Sequence, residues 1–162
     1  MEIRLLFATP DPESLDLLHS LLASALELTP LQITPAHAGT RGQLMKRVKE
    51  RCDDVVVLDW NMAQAGTPAL IQELLTENME LRIVCLLPYH YRQYRTQVWQ
   101  AGACSSIPKE HMEQEWFSSI LCVMHRAMQR EARIRAHYTG APSPKSDEPL
   151  CCAPPSTTEP AT

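Results

Sequence analysis

Short apolar runs recur along most of the chain, and each is followed by a segment with a different pattern. The clearest run is Val55-Val56-Val57-Leu58, which has polar residues on both sides and ends on Asp59. An unbroken aliphatic run of this length is typical of a strand that is buried on both faces of a parallel sheet. We predict strands at residues 3–8, 31–35, 55–59, 81–87 and 103–107.

The segments between these runs carry apolar residues every three or four positions, which is the spacing of an amphipathic helix. The first has Leu15, Leu18 and Leu22 in this register after a Pro12 that suits a helix start. The same pattern predicts helices at residues 41–51, 67–78 (with Thr67 as cap) and 91–100, and a last helix from near Met112. Strands that alternate with helices predict an α/β fold with five βα units, in which a doubly wound parallel five-stranded sheet has helices on both faces.

The last helical pattern continues past the point where a domain of this size would be closed. A seam of residues at helical spacing leaves two alternatives open, a homodimer through this helix and a frayed basic helix that leads into the tail. The seam consists of Ile120, Met124, Ala127, Glu131 and Ile134. We therefore assign residues 1–137 to one domain with an extended C-terminal helix. Residues 138–162 are rich in Pro, Ser and Thr without periodicity, and we predict that they are disordered.

Composition narrows the classes of function. The 162 residues carry a formal net charge of -4, which argues against nucleic-acid binding because that needs a surplus of Lys and Arg. No apolar stretch is long enough to span a bilayer, and the N-terminus lacks the pattern of a signal peptide. The sequence therefore predicts a cytoplasmic protein that has no membrane or nucleic-acid partner.

Asp59 ends the third predicted strand, at the edge of an open α/β sheet where sites are usually built. The segment Leu58-Asp59-Trp60-Asn61-Met62 and the five βα units resemble the receiver domain of bacterial response regulators, in particular its chemotaxis-type members. This resemblance implies the flavodoxin-like receiver fold, with Asp59 as the phosphoacceptor for a histidine kinase. It also implies Lys109 as the residue that pairs with the phosphoryl group, and a magnesium site at Asp11, Asp59 and Asn61.

The chain departs from the family pattern at several positions. Thr9 and Pro10 stand where the family has two carboxylates, and only Asp11 remains nearby. Magnesium requires hard oxygen ligands in near-octahedral geometry, so this set should bind it poorly. Leu87 or Pro88 stands at the position of a hydroxyl residue, and Ser106 at that of an aromatic residue.

These departures favour an atypical receiver, or pseudo-receiver, that stands alone and acts through protein–protein contact within two-component phosphorelay signalling. The alternative is a single-domain response regulator that is fully phosphorylatable on Asp59. In either case the expected partners are signalling proteins, either a histidine kinase or a downstream target.

Aromatic and basic residues after the fourth strand form a candidate interaction surface, because Tyr, Trp and Arg often anchor interfaces. The predicted surface consists of Tyr91, Tyr94, Arg95, Trp99 and Ser106. The alternative is that half of these side chains pack inward as ordinary helix core.

A small α/β enzyme or nucleotide-binding protein that uses Asp59 and Lys109 is the competing class of function. The sequence has no glycine-rich phosphate loop and no nucleophile elbow, so we predict that the protein is not an enzyme. Apart from magnesium, no cofactor is expected.

Overall fold

The structure, a computed structural model, describes residues 1–140 and contains one parallel sheet. Its strands are β1 (Glu2–Ala8), β2 (Gln32–Ala38), β3 (Val55–Asp59), β4 (Arg82–Leu87) and β5 (Ser105–Pro108), in the spatial order β2-β1-β3-β4-β5. All five residues of β3 are buried, as the unbroken apolar run predicts for a central strand.

Helices follow each strand. They are α1 (Pro12–Leu28), α2 (Arg41–Lys49), α3 (Thr67–Glu77), α4 (Arg95–Gln100) and α5 (Gln114–Thr139). The first four each link one parallel strand to the next, because parallel neighbours cannot be joined by a tight turn, and α5 follows the last strand. The predicted (βα)5 architecture with a flavodoxin-like sheet is confirmed.

The second strand is longer than the predicted 31–35, because it continues through Pro35 to Ala38. Proline cannot donate a hydrogen bond to a neighbouring strand and usually ends a central strand. Here β2 lies at one edge of the sheet and pairs only with β1, so Pro35 is tolerated within it.

The predicted helix over residues 91–100 is wrong in its first half. A 3-10 helix spans Tyr89–Tyr94, and α4 begins only at Arg95. The backbone at Tyr91 is not helical (φ -105°, ψ 19°), and its ring stacks on Trp60 with a centroid distance of 4.8 Å. Contact with a residue far away in sequence therefore overrides the local helical pattern.

Three other helix boundaries differ by a few residues. The cap of α3 is Gly66, and Thr67 is its first helical residue. Glu50 caps α2, which therefore ends before residue 51, where Arg51 has a positive φ of 53°. The last helix starts at Gln114.

The chain divides into two compact units, Met1–Arg126 and Ala127–Thr162. The first contains the sheet, and the described part of the second is the end of α5 to Gly140. The tail predicted to be disordered lies, from residue 141 on, outside the described residues. Within residues 1–140 no helix is both long and apolar enough to cross a membrane.

Candidate functional site

The carboxyl edge of the sheet brings together three polar side chains from distant parts of the chain. Thr9 follows β1, Asp59 is the last residue of β3, and Lys109 follows β5. The carboxyl ends of parallel strands lie at one edge, and β1 and β3 are neighbours in the sheet. The site predicted from Asp59 and Lys109 therefore lies where strand order alone would put it.

The Asp59 carboxylate is fully buried (0% exposed) and accepts hydrogen bonds at both oxygens. The Thr9 hydroxyl donates to Oδ2 at 2.7 Å, and the Asn61 amide donates to Oδ1 at 3.0 Å. Lys109 Nζ lies 3.0 Å from Oδ2 and 3.2 Å from Oδ1. A buried carboxylate is tolerated only when it is paired and hydrogen-bonded, and these donors meet that requirement.

The Lys109 ammonium is itself mostly buried, with 19% of its side chain exposed. Its ion pair with Asp59 is thus shielded from solvent, unlike most surface pairs. Next to it in β4, burial first and then the Asp59 charge raise the pKa of the Cys85 thiol to about 12. Burial and this charge thus favour the protonated thiol, which is the less nucleophilic form.

Asp11, predicted as a metal ligand, accepts hydrogen bonds from the first turn of α1 instead. Its Oδ1 accepts the Glu13 amide at 3.2 Å, and its Oδ2 accepts the Ser14 hydroxyl at 2.6 Å and the Ser14 amide at 3.3 Å. These bonds, led by the one from the Ser14 hydroxyl, hold the pKa of Asp11 below its usual range. Asp11 is therefore the N-cap of α1.

The residues at the carboxyl edge do not fit a magnesium ion. Asp11 is occupied as a helix cap, and Thr9 offers Asp59 a hydroxyl donor where a metal site needs an additional anionic ligand. The Asn61 backbone N–H donates to Asp59 Oδ1, so this bond also occupies a lone pair of the carboxylate. In the described part of the chain, no three His, Cys, Asp or Glu side chains come together as a metal site would need.

Trp60 directly follows Asp59, and the sequence analysis named it only as part of the segment that resembles receiver domains. Its side chain is buried under two tyrosines, with centroid distances of 4.8 Å to Tyr91 and 4.9 Å to Tyr94. Thr9 was noted only as a missing carboxylate, although its place at the end of a strand was a signal that it faces the site. Trp60 thus joins Asp59, its neighbour in sequence, to the two tyrosines that precede α4.

The predicted surface residues fall into three groups. Tyr91 and Tyr94 pack on Trp60, whereas Arg95 lies over the ring of Trp99 at 4.5 Å, and both members of that pair are exposed. Ser106 is 8% exposed and lies inside β5. The structure therefore gives these five residues different surroundings.

The fold is that of the receiver domains of response regulators. A receiver domain protein from Clostridium thermocellum superposes with a TM-score of 0.65 at 15% identity, over 80% of this chain and 97% of its own. A Burkholderia pseudomallei protein named as pilus assembly-related gives 0.62 at 19% identity, over 75% and 88%.

A third structure bears on the metal site. The receiver domain of a sensor histidine kinase from Pseudomonas aeruginosa, which has a magnesium ion coordinated in its active site cleft, gives a TM-score of 0.60 at 12% identity, over 78% of this chain and 97% of its own. No protein-family model and no curated protein matches the sequence.

Proposed function

We propose that the protein is an atypical receiver module of two-component signalling, located in the cytoplasm, that acts through protein–protein contact and has no magnesium-dependent phosphorylation cycle. The observation that supports this proposal is the hydrogen bonding of the Asp59 carboxylate. Its two oxygens accept four hydrogen bonds, all from protein donors, and one donor is the Thr9 hydroxyl.

The chemistry of these donors explains the proposal. A carboxylate that is to attack a phosphoryl group needs a free oxygen and a cation that neutralises the incoming charge. Here Lys109 supplies one positive charge. The Thr9 hydroxyl donates a hydrogen bond to Asp59 Oδ2 and so occupies one lone pair of that oxygen. Asp59 and Lys109 then serve to hold the ends of β3 and β5 together.

The test uses the full chain with magnesium and either acetyl phosphate or beryllofluoride. Intact mass and NMR shifts around Asp59 provide the two readouts. We expect no phosphoryl adduct and no magnesium-dependent shift, because the donor set at Asp59 does not fit the ion.

A matched variant sharpens this experiment. Thr9→Asp combined with Pro10→Asp restores carboxylates at the two positions where the family pattern has them, and we expect it to gain a magnesium-dependent shift at Asp59. Asp59→Asn in the same background should lose it. An adduct on the natural chain that disappears in Asp59→Asn would contradict the proposal and establish a phosphorylatable regulator.

We also propose that the protein self-associates through α5. Ile134 and Tyr138, four residues apart in this helix, are both exposed, and neighbouring exposed apolar side chains mark a candidate contact with a partner. Met124, from the predicted seam, is buried instead. The partner in this second proposal is another copy of the same chain.

A further inference from the structure

Thr9 is held at each of its polar atoms. It directly follows β1 and is 1% exposed. Its amide donates to the carbonyl of Ala38 at 3.1 Å, and its hydroxyl donates to Asp59 and accepts the amide of Asp11 at 3.2 Å. The carbonyl oxygen, its last polar atom, is bonded to Nε2 of His37 at 3.0 Å. Contacts from three separate segments of the chain therefore fix the position of Thr9.

The bond to His37 satisfies a carbonyl that the following helix cannot use. The first turn of α1 closes from the Leu15 amide to the Asp11 carbonyl, so the carbonyl of Thr9 lies before the helix. Pro10 also disfavours a helical conformation for Thr9. A backbone carbonyl away from water needs a donor, and within residues 1–140 the side chain that supplies it is His37.

The chemistry of this contact defines where the imidazole carries its proton. A carbonyl oxygen only accepts hydrogen bonds, so Nε2 of His37 is protonated, either in the neutral Nε2–H tautomer or in the imidazolium. A Cβ at residue 39 would lie 3.3 Å from Cε1 of His37 and would crowd the ring. Gly39 therefore leaves the imidazole the room it needs to reach Thr9.

The three linked residues differ in their access to solvent. His37 is exposed on β2, at the edge of the sheet, whereas Thr9 is almost completely buried and Asp59 is fully buried. The imidazole is therefore the end of the series that solvent can reach. Without it the Thr9 carbonyl has to find water, and movement of Thr9 toward solvent also withdraws its hydroxyl from Oδ2 of Asp59.

The structure assigns His37 as an external latch of the Asp59 site: its imidazole holds the Thr9 carbonyl, and this contact holds the Thr9 hydroxyl on Asp59. The latch covers one of the two carboxylate oxygens, and its release exposes that oxygen without any change in the side chains of Asp59 and Lys109. The inference deepens the proposed function and rests on it, because it concerns access to the same carboxylate.

Amide hydrogen exchange of the full chain tests the latch. His37→Leu removes the donor, and we expect the amides of Thr9 and Asp11 to exchange about fivefold faster, which is the effect of one ordinary hydrogen bond on a local opening. His37→Gln offers an N–H at similar reach and should restore most of the protection. The amides of β4 should be unaffected in both variants. Unchanged exchange at Thr9, or an equal rise throughout the sheet, overturns the inference.

The carboxyl carbon of Asp59 provides a readout that a loss of stability alone does not move. We expect its NMR resonance to shift in His37→Leu and to stay near its natural position in His37→Gln. In the background of Thr9→Val, which lacks the hydroxyl, His37→Leu should cause no further shift, because the hydroxyl carries the coupling. An equal shift in that background, or no shift in the natural one, contradicts the latch.

The ring nitrogens of His37 provide an independent signature. Their NMR resonances identify the protonated nitrogen, and we expect a proton on Nε2. A neutral ring with its only proton on Nδ1 would refute the contact with the Thr9 carbonyl.

His90→Leu is the matched control, because His90 is also exposed and takes no part in the hydrogen bonds of Thr9 and Asp59. It should leave the exchange of Thr9 and the Asp59 resonance unchanged, and an effect as large as that of His37→Leu would contradict the assignment to His37. None of these measurements uses magnesium or a phosphodonor. Failure of the latch is therefore distinguishable from failure of the proposed phosphorylation behaviour.

Discussion

Thr9 and Lys109 show how one buried carboxylate can be stabilised without a metal ion. Removing a carboxylate from water costs several kcal/mol, and the cost is recovered only when its lone pairs are filled and its charge is paired. Thr9 fills a lone pair at 2.7 Å, and Lys109 pairs the charge at 3.0 Å. Asp59 is therefore as much a structural residue as a candidate chemical one.

Substitution of Lys109 tests whether its positive charge offsets the cost of burying Asp59. Lys109→Met keeps most of the side-chain volume but leaves the Asp59 charge without its cation, so we expect the free energy of unfolding to fall by about 3 kcal/mol. Adding Asp59→Leu to this variant should recover most of the loss, because no buried charge then remains. Chemical denaturation of the two single variants and the double variant measures the coupling. Additive losses would show that the two side chains do not interact energetically.

At the scale of single residues, the sequence identified the acid and its cation but not their neutral partners. Asp59 stands out because it ends an unbroken apolar run, whereas Lys109 was assigned through the resemblance to receiver domains. Thr9 does not stand out, since threonine is common after a strand and its hydroxyl carries no charge. Trp60 entered only as part of the segment that resembles receiver domains, and its contacts with Tyr91 and Tyr94 were not predicted.

Elements of this fold are joined by tight connections, and the one between α4 and β5 depends on a glycine. Gly102 has a φ of +115°, which L side chains rarely adopt, and its amide donates to the carbonyl of Trp99. A Cβ at this position would lie 2.4 Å from Leu75 Cδ1 in α3. The turn thus allows α4 to approach α3 closely.

Gly102→Ala should therefore destabilise the protein by more than about 1 kcal/mol, through strained backbone and a clash with Leu75. Gly42→Ala is the matched control, because Gly42 lies in α2 with nothing within 4 Å of the added Cβ. That control should stabilise the protein by about 0.5 kcal/mol. Thermal and chemical denaturation measure both changes. A similar effect of the two substitutions would refute the requirement for glycine at residue 102.

The strands were easier to predict than the helices for a physical reason. A strand buried on both faces needs an unbroken apolar run, and this signal is local. The segment over residues 91–100 has a helical pattern, but stacking of Tyr91 and Tyr94 on Trp60 decides its conformation. A contact between residues about thirty positions apart cannot be predicted from the periodicity of either segment.

At the scale of the whole molecule, the question is what a second protein contacts. Asp59 and Lys109 belong to the first compact unit, whereas Ile134 belongs to the described part of the second. The chemistry of the Asp59 site and self-association through α5 are therefore proposed for different residues, and single substitutions can separate them.

Self-association predicts a dimeric mass for the full chain by light scattering. Ile134→Asp places a charge at the proposed contact and should shift the mass to that of a monomer at micromolar concentration, because desolvating an unpaired carboxylate is costly. Arg133→Asp, one residue away, is the control and should remain dimeric. A monomeric natural chain, or no change in Ile134→Asp, would remove α5 as the contact.

The position of Lys109 also sets an order of events during synthesis of the chain. Lys109 follows Asp59 by 50 residues, and β5, after which it lies, is the last strand to be made. Before β5 emerges from the ribosome, Asp59 has only the neutral donors of Thr9 and Asn61, and its carboxylate gains nothing from leaving water. We therefore expect this edge of the sheet to stay hydrated in a nascent chain until β5 has docked.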